Sequence, residues 1–135
     1  MNVPTLPKPE LHLLTIEEVT EVTKECIKET VGEYEEYSPE IYTEKTKELT
    51  ANILQALTEA SSISKYIINI VIIQNNGCGV HANTGAHWTD RDFFVTVPFS
   101  NDAIHVIASI SSVHIIPTPD VIKKLFLVFC CYCYY

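Results

Sequence analysis

The stretch Lys65–Trp88, KYIINIVIIQNNGCGVHANTGAHW, decides how the chain is read. Its first half, YIINIVII, is β-branched on both faces, as expected of a central strand with helices on one side and something apolar on the other. The second half is strand-like only in its alternation. Val80, Ala82, Thr84, Ala86 and Trp88 point one way, and Gly79, His81, Asn83, Gly85 and His87 the other. Between the halves, Asn75-Asn76-Gly77 offers the positive φ angles of a tight hairpin. Gly79, Ala82, Gly85 and Ala86 are poor strand formers, so this strand has little means of holding itself in a sheet.

Upstream of this stretch the periodicity is helical. Thr15 and Glu18 form a capping box, in which the hydroxyl takes one amide hydrogen bond and the carboxylate returns to the cap amide. Val19, Val22, Cys26 and Ile27 recur at helical spacing, and Gly32 suits the left-handed turn that ends a helix. Ser38 caps a second helix, with Pro39 at its first position and Glu40 against the positive helix end. Leu49, Ile53, Ala56, Leu57 and Ala60 give it a buried stripe, and Ser61–Ser64 closes it. Downstream, Thr89–Asp92 turns the chain into Phe93–Val97, where Pro98 ends the pairing for want of an amide. Ser100–Asp102 turns again into a last strand over 103–116. The expected fold is α+β, with two N-terminal helices on a four-stranded antiparallel meander.

Composition excludes several classes. The chain has 135 residues, 47% hydrophobic and 19% charged, which suits one domain with a modest core. Its net charge of −8 lies wholly in residues 1–60, with thirteen Glu against five Lys. Residues 61–135 balance four Asp against three Lys and one Arg. No nucleic-acid footprint follows from that distribution, and the acidic helices read as solvated faces. The start, MNVPTLPKPE, has the character of a loose tail over 1–11 and lacks a secretory pattern. No stretch approaches the ~20 apolar residues that span a bilayer. Five cysteines without a disulfide framework point to a reducing, cytosolic setting.

No catalytic constellation is visible, and the chain reads as a non-enzyme without cofactor or metal. His81 and His87 share a face but lie ~20 Å apart along one strand, beyond any tetrahedral ligand set. Cys78 and His81 point to opposite faces, against a Cys–His nucleophile. Gly77-Cys78-Gly79 is too short for a phosphate loop, and Trp88 reads as core. The end of the chain, VIKKLFLVFCCYCYY, differs from the rest. Cys130 and Cys133 form one CxxC without the second pair zinc needs. Residues 117–135 read as an extension beyond a domain at 12–116. The alternatives are a packed extra segment or an acylated anchor near Lys123 and Lys124, although a membrane is disfavoured.

The run KYIINIVIIQNNGCGVH (Lys65–His81) resembles the Tctex-type dynein light chains, whose pattern is Lys-Tyr-Ile, an apolar strand, Gln, then Asn-Gly-x-Gly-[Leu/Val]-His. Trp88, the apolar last strand and ILQALTE (Ile53–Glu59) continue the likeness over about 13–115. The chain departs from the pattern at Lys45, where an aromatic is common, and at Thr89, which displaces the Asp after Trp88 to Asp90. The turn before the third strand is also shortened.

The resemblance implies a homodimer in which the second strand crosses to the partner's sheet, with Asn75, Asn76 and Gly77 as the hinge. It further implies that Gly79, Val80, His81, Ala82, Asn83, Thr84, Gly85, Ala86, His87 and Trp88 form the dimer and peptide-binding strand. There the dynein intermediate chain or cargo would add as one more strand, in a cytoplasmic, axonemal or ciliary motor. A dynein-independent adaptor of this fold and a cystatin-like binding module are the alternatives. If His81, His87 and His105 meet at the dimer seam, mild acid would bring like charges together there.

Overall fold

The computed structural model describes residues 12–33, 36–114 and 126–134, the last by backbone alone. Helix α1 spans Ile16–Val31 and α2 spans Pro39–Ala60. They are followed by β1 (Ser64–Gln74), β2 (Val80–Trp88), β3 (Phe93–Ser100), β4 (Ile104–His114) and β5 (Phe126–Tyr134). The α+β class and the two helices before antiparallel strands are as the sequence predicts. The neighbour relations are not those of a meander. Strands β1, β4 and β3 form one antiparallel sheet in that order, and β2 pairs with β5 in a separate ribbon. The residues expected as a tail, 1–11, lie outside those described.

Helix α1 starts as its capping box requires. The Glu18 amide donates to Thr15 Oγ1 at 3.2 Å, and the Thr15 amide donates to Glu18 Oε2 at 2.8 Å. That backbone amide holds the Glu18 carboxyl below its ordinary range, helped by His12 Nε2 at 3.1 Å from Oε2. A depressed carboxylate contributes stability above the unfolded-state value and loses it as pH falls through the folded value. Acidification through and below the ordinary carboxylate range is therefore expected to fray the first turn of α1. Amide exchange of Ile16–Val19 measures it, and Glu18→Gln should remove this pH dependence.

Two helix boundaries differ from the expected chemistry. Ser38 stands at the cap of α2, but its hydroxyl donates to Glu40 Oε2 at 2.8 Å and caps no amide. Gly32 keeps right-handed geometry (φ −69°), because its amide closes one more helical bond to the Lys28 carbonyl at 3.0 Å.

The core lies between the helices and one face of the three-stranded sheet, with α1 against β3 and α2 against β1. Val19, Ile27, Val31, Leu49, Ile53 and Leu57 are buried from the helices, and Ile104, Val106, Ala108 and Ile110 from β4. Tyr42 extends the α2 stripe at its start, whereas Ala56 is half-buried and Ala60 exposed. Strand β4 is the most buried because it is central. Ile110 faces Ile68 on one side and Val95 on the other, and Ala108 faces Ile70 and Val97.

Pro98 does not end β3. It pairs with Ile107 inside the strand, and β3 runs on to Ser100. An edge strand accommodates proline where the missing amide would point away from its one neighbour, and β3 is such an edge.

Among the described residues, the other face of this sheet carries no helix. In β1 the residues alternate between the core face (Tyr66, Ile68, Ile70, Ile72) and the open face (Ile67, Asn69, Val71). Ile67 is 63% exposed and Val71 40%. By register, Ile67 pairs with Ser111, and Val71 pairs with Ile107, which is itself buried; Phe94 and Pro98 continue these two rows across β4.

Candidate functional site: a strand outside the main sheet

Strand β2 is placed by what brackets it. At its start, Asn75 is fixed to the β3–β4 turn. Its amide donates to the Ala103 carbonyl at 2.8 Å and its Nδ2 to the Asn101 carbonyl at 2.9 Å. Asn101 in turn accepts the Ala103 and Ile104 amides on Oδ1 at 2.8 and 2.9 Å. The chain then bends through Asn76, whose Oδ1 accepts the Cys78 amide at 3.1 Å, and through Gly77 at φ +82°. Gly77 is the one described residue with positive φ, a conformation that costs glycine little.

Asn75-Asn76-Gly77 therefore turns the chain but closes no hairpin. Strands β1 and β2 do not pair, and β1 bonds to β4 over its whole length. The local turn chemistry was readable in the sequence. The identity of β1's partner was not, because an apolar strand such as β4 competes better for β1 than a strand of small residues does.

At the far end, Asp92 organises the exit. One carboxylate oxygen, Oδ2, accepts the Thr89 amide at 2.9 Å and the Thr89 hydroxyl at 3.1 Å. The other, Oδ1, accepts the His114 amide at 2.6 Å. One side chain thus ties the end of β2 to the end of β4. Sequence reasoning read Thr89–Asp92 only as a turn and gave Asp92 no role, and the signal for it was its position closing that turn. Asp92→Ala leaves the Thr89 and His114 amides without this acceptor. It is expected to destabilise the fold by about 2 kcal/mol, read as a lower urea midpoint with an unchanged slope.

Between these anchors β2 runs nine residues with little cover. Val80, Ala86 and Trp88 are half-buried, and His81, Ala82, Asn83, Thr84, Gly85 and His87 are exposed. Gly79 falls just before the strand. The alternation expected from the sequence is present at the ends of the strand, where Val80 and Trp88 share the more covered face. Strand β2 bonds to β5 from Val80↔Tyr134 to Trp88↔Phe126, leaving it one further edge. His105, named with His81 and His87 as a candidate seam residue, belongs to the other sheet. There its Nδ1 lies 2.7 Å from Ser100 Oγ.

A concavity lies over the start of α2, lined by Tyr37, Pro39, Tyr42, Thr43, Thr46 and Ile72. The Tyr37 and Tyr42 rings stack there with centroids 5.5 Å apart, and Lys45 Nζ sits 5.6 Å from the Tyr42 centroid. Among the described residues no group of three His, Cys, Asp or Glu side chains could hold a metal. No described helix is long and apolar enough to cross a membrane. What the arrangement offers is backbone: a strand whose amides and carbonyls are available at an edge, held at both ends by hydrogen bonds to the rest of the domain.

Comparison with known proteins agrees with this architecture. The Tctex-1 family model matches residues 14–113, which takes in both helices, β1 to β3 and nearly all of β4. A curated protein of Drosophila melanogaster, "Dynein light chain Tctex-type", is 30% identical over 96 residues, covering 70% of this chain and 86% of that protein. With both helices, the turn at Gly77 and strand β2 inside the matched range, the chain belongs to the Tctex-1 family.

Proposed function

We propose that the protein is a non-catalytic dynein light chain that dimerises by exchange of β2. On that strand it would hold an extended segment of the dynein intermediate chain or of a cargo. The observation that carries this reading is the placement of β2. The strand stands outside the three-stranded sheet, with β5 on one edge only, is exposed along most of its length, and is anchored at both ends. A second copy supplies what such a strand lacks. Among the described residues, the edge of β3 away from β4 pairs with no strand, and β2 of a partner fits that edge. The open apolar face with Ile67 and Val71 would be covered in the same assembly.

Exchange also accounts for the small residues of β2. Gly85, Ala82 and Ala86 let backbones approach closely, and strand addition draws affinity from main-chain hydrogen bonds more than from side chains. Two strands presented by one dimer raise avidity for a partner that is itself paired. The charge of −8 carried by residues 1–60 would leave the helical side solvated and unlike a nucleic-acid surface. This reading places the protein in the cytoplasm with a dynein complex on microtubules.

Trp88 is the sole tryptophan and ends β2, so its emission reports on the strand directly. Titrating residues 1–116 with a peptide from the disordered N-terminal region of a dynein intermediate chain should change Trp88 emission saturably. A flat titration would remove the intermediate chain as the partner. The shortened chain suits the test because, among the described residues, the buried hydrophobic cluster lies between Val19 and Ile110.

A further inference from the structure

β5 lies outside the family-matched residues, yet it takes a whole edge of β2. The two strands are each nine residues long and pair end to end without overhang, from Val80↔Tyr134 to Trp88↔Phe126. β5 reads FLVFCCYCY, rich in the aromatic and β-branched residues that favour strands. β2 contributes small residues opposite: Gly85 pairs with Phe129 and Ala86 with Val128. The sequence therefore supplies, in cis, the kind of apolar extended segment that a bare strand edge accepts.

Resting on the reading of β2 as a strand for extended partners, we propose that β5 is a built-in occupant of the peptide-accepting edge of β2. The full chain thereby holds its own binding edge closed. A strand on the same chain competes at an effective concentration that does not depend on the bulk concentration of protein. An outside peptide binds only the fraction of molecules in which β5 has left, and its apparent affinity falls by that fraction. The edge of β2 that faces the partner's β3 remains for exchange, so dimerisation is untouched. Release of β5, for example by a surface that prefers its apolar residues, would open the site.

The test uses a fluorescein-labelled synthetic peptide of residues 124–134, with Cys130, Cys131 and Cys133 each replaced by Ser to prevent oxidation. It is titrated against residues 1–116, the full chain, and the full chain carrying Val128→Pro and Phe129→Pro. Successive amides in a strand point to opposite sides, so one of the two prolines must remove a bond to β2. The expected result is saturable binding to residues 1–116 and to the proline variant, and binding to the full chain at least about tenfold weaker. Equal affinity for all three, or no binding to residues 1–116, would overturn the proposal. Light scattering on the same samples checks the edge. A full chain that is monomeric where residues 1–116 are dimeric would put β5 on the partner's edge and also overturn it. The intermediate-chain peptide separates this inference from the functional reading. If it binds residues 1–116 and the full chain equally, the dynein reading stands and the closed edge fails. If only the β5 peptide binds residues 1–116, the closed edge stands and the dynein reading fails.

Discussion

A chain carrying Ile67→Glu and Val71→Glu is expected to be monomeric at micromolar concentration while keeping its fold. Both side chains are exposed in the single chain, at 63% and 40%, so neither substitution disturbs the core. Both lie on the sheet face opposite the helices, two register rows either side of Asn69. Burying four new carboxylates in a symmetric interface, without partners, costs several kcal/mol by desolvation and mutual repulsion. A loss of at least ~100-fold in dimer affinity corresponds to about 2.8 kcal/mol. Sedimentation velocity reads the mass, and circular dichroism confirms that helices and sheet remain. A variant that stays dimeric would move the interface away from this face.

The largest effect on stability is expected from Ile53→Ala. Ile53 is fully buried in the middle of α2, between Leu49 and Leu57 on the same helical stripe. That stripe packs on β1, whose Ile68, Ile70 and Ile72 lie against the core. Removing three carbons there loses their transfer free energy and leaves a cavity that a helix fixed at both ends closes only partly. The cost is about 3 kcal/mol, and for a domain of this size the melting temperature falls on the order of 15 °C. Ala60→Gly, on the exposed side near the end of α2, is the contrasting case and should cost under ~1 kcal/mol. A loss at Ile53 no larger than at Ala60 would contradict the placement of the core.

How far the sequence could be read follows from which signals are local. The start of α1 was legible because Thr15 and Glu18 satisfy each other's amides within four residues. The start of α2 was legible because Pro39 is tolerated only in a first helical turn. The alternation in β1 gave the core face, since Ile68, Ile70 and Ile72 recur at period two. What was not legible is who pairs with whom. Nothing in the periodicity of Ile104–His114 says that it inserts between β1 and β3, yet that insertion frees β2. Pro98 misled for a related reason, because its cost depends on which edge it faces.

β5 is a still longer-range case. Its residues favour a strand, but its partner lies some forty residues earlier and offers almost no side chains as a signal. The candidate strand itself was legible through its weakness. A segment of glycine, alanine and polar residues competes poorly for β1, and in the structure β2 stands outside the three-stranded sheet, paired with β5. Asp92 was hidden because its carboxylate serves an amide twenty-two residues away, at His114, as well as a local one at Thr89.

The measurement that tests exchange most directly is isotope-filtered NMR on a dimer mixed from labelled and unlabelled copies of residues 1–116. The account predicts intermolecular Hα and amide contacts between β2 (Val80–Trp88) of one copy and β3 (Phe93–Ser100) of the other. A monomer, or a dimer whose β2–β3 contacts arise only within one copy, would contradict it.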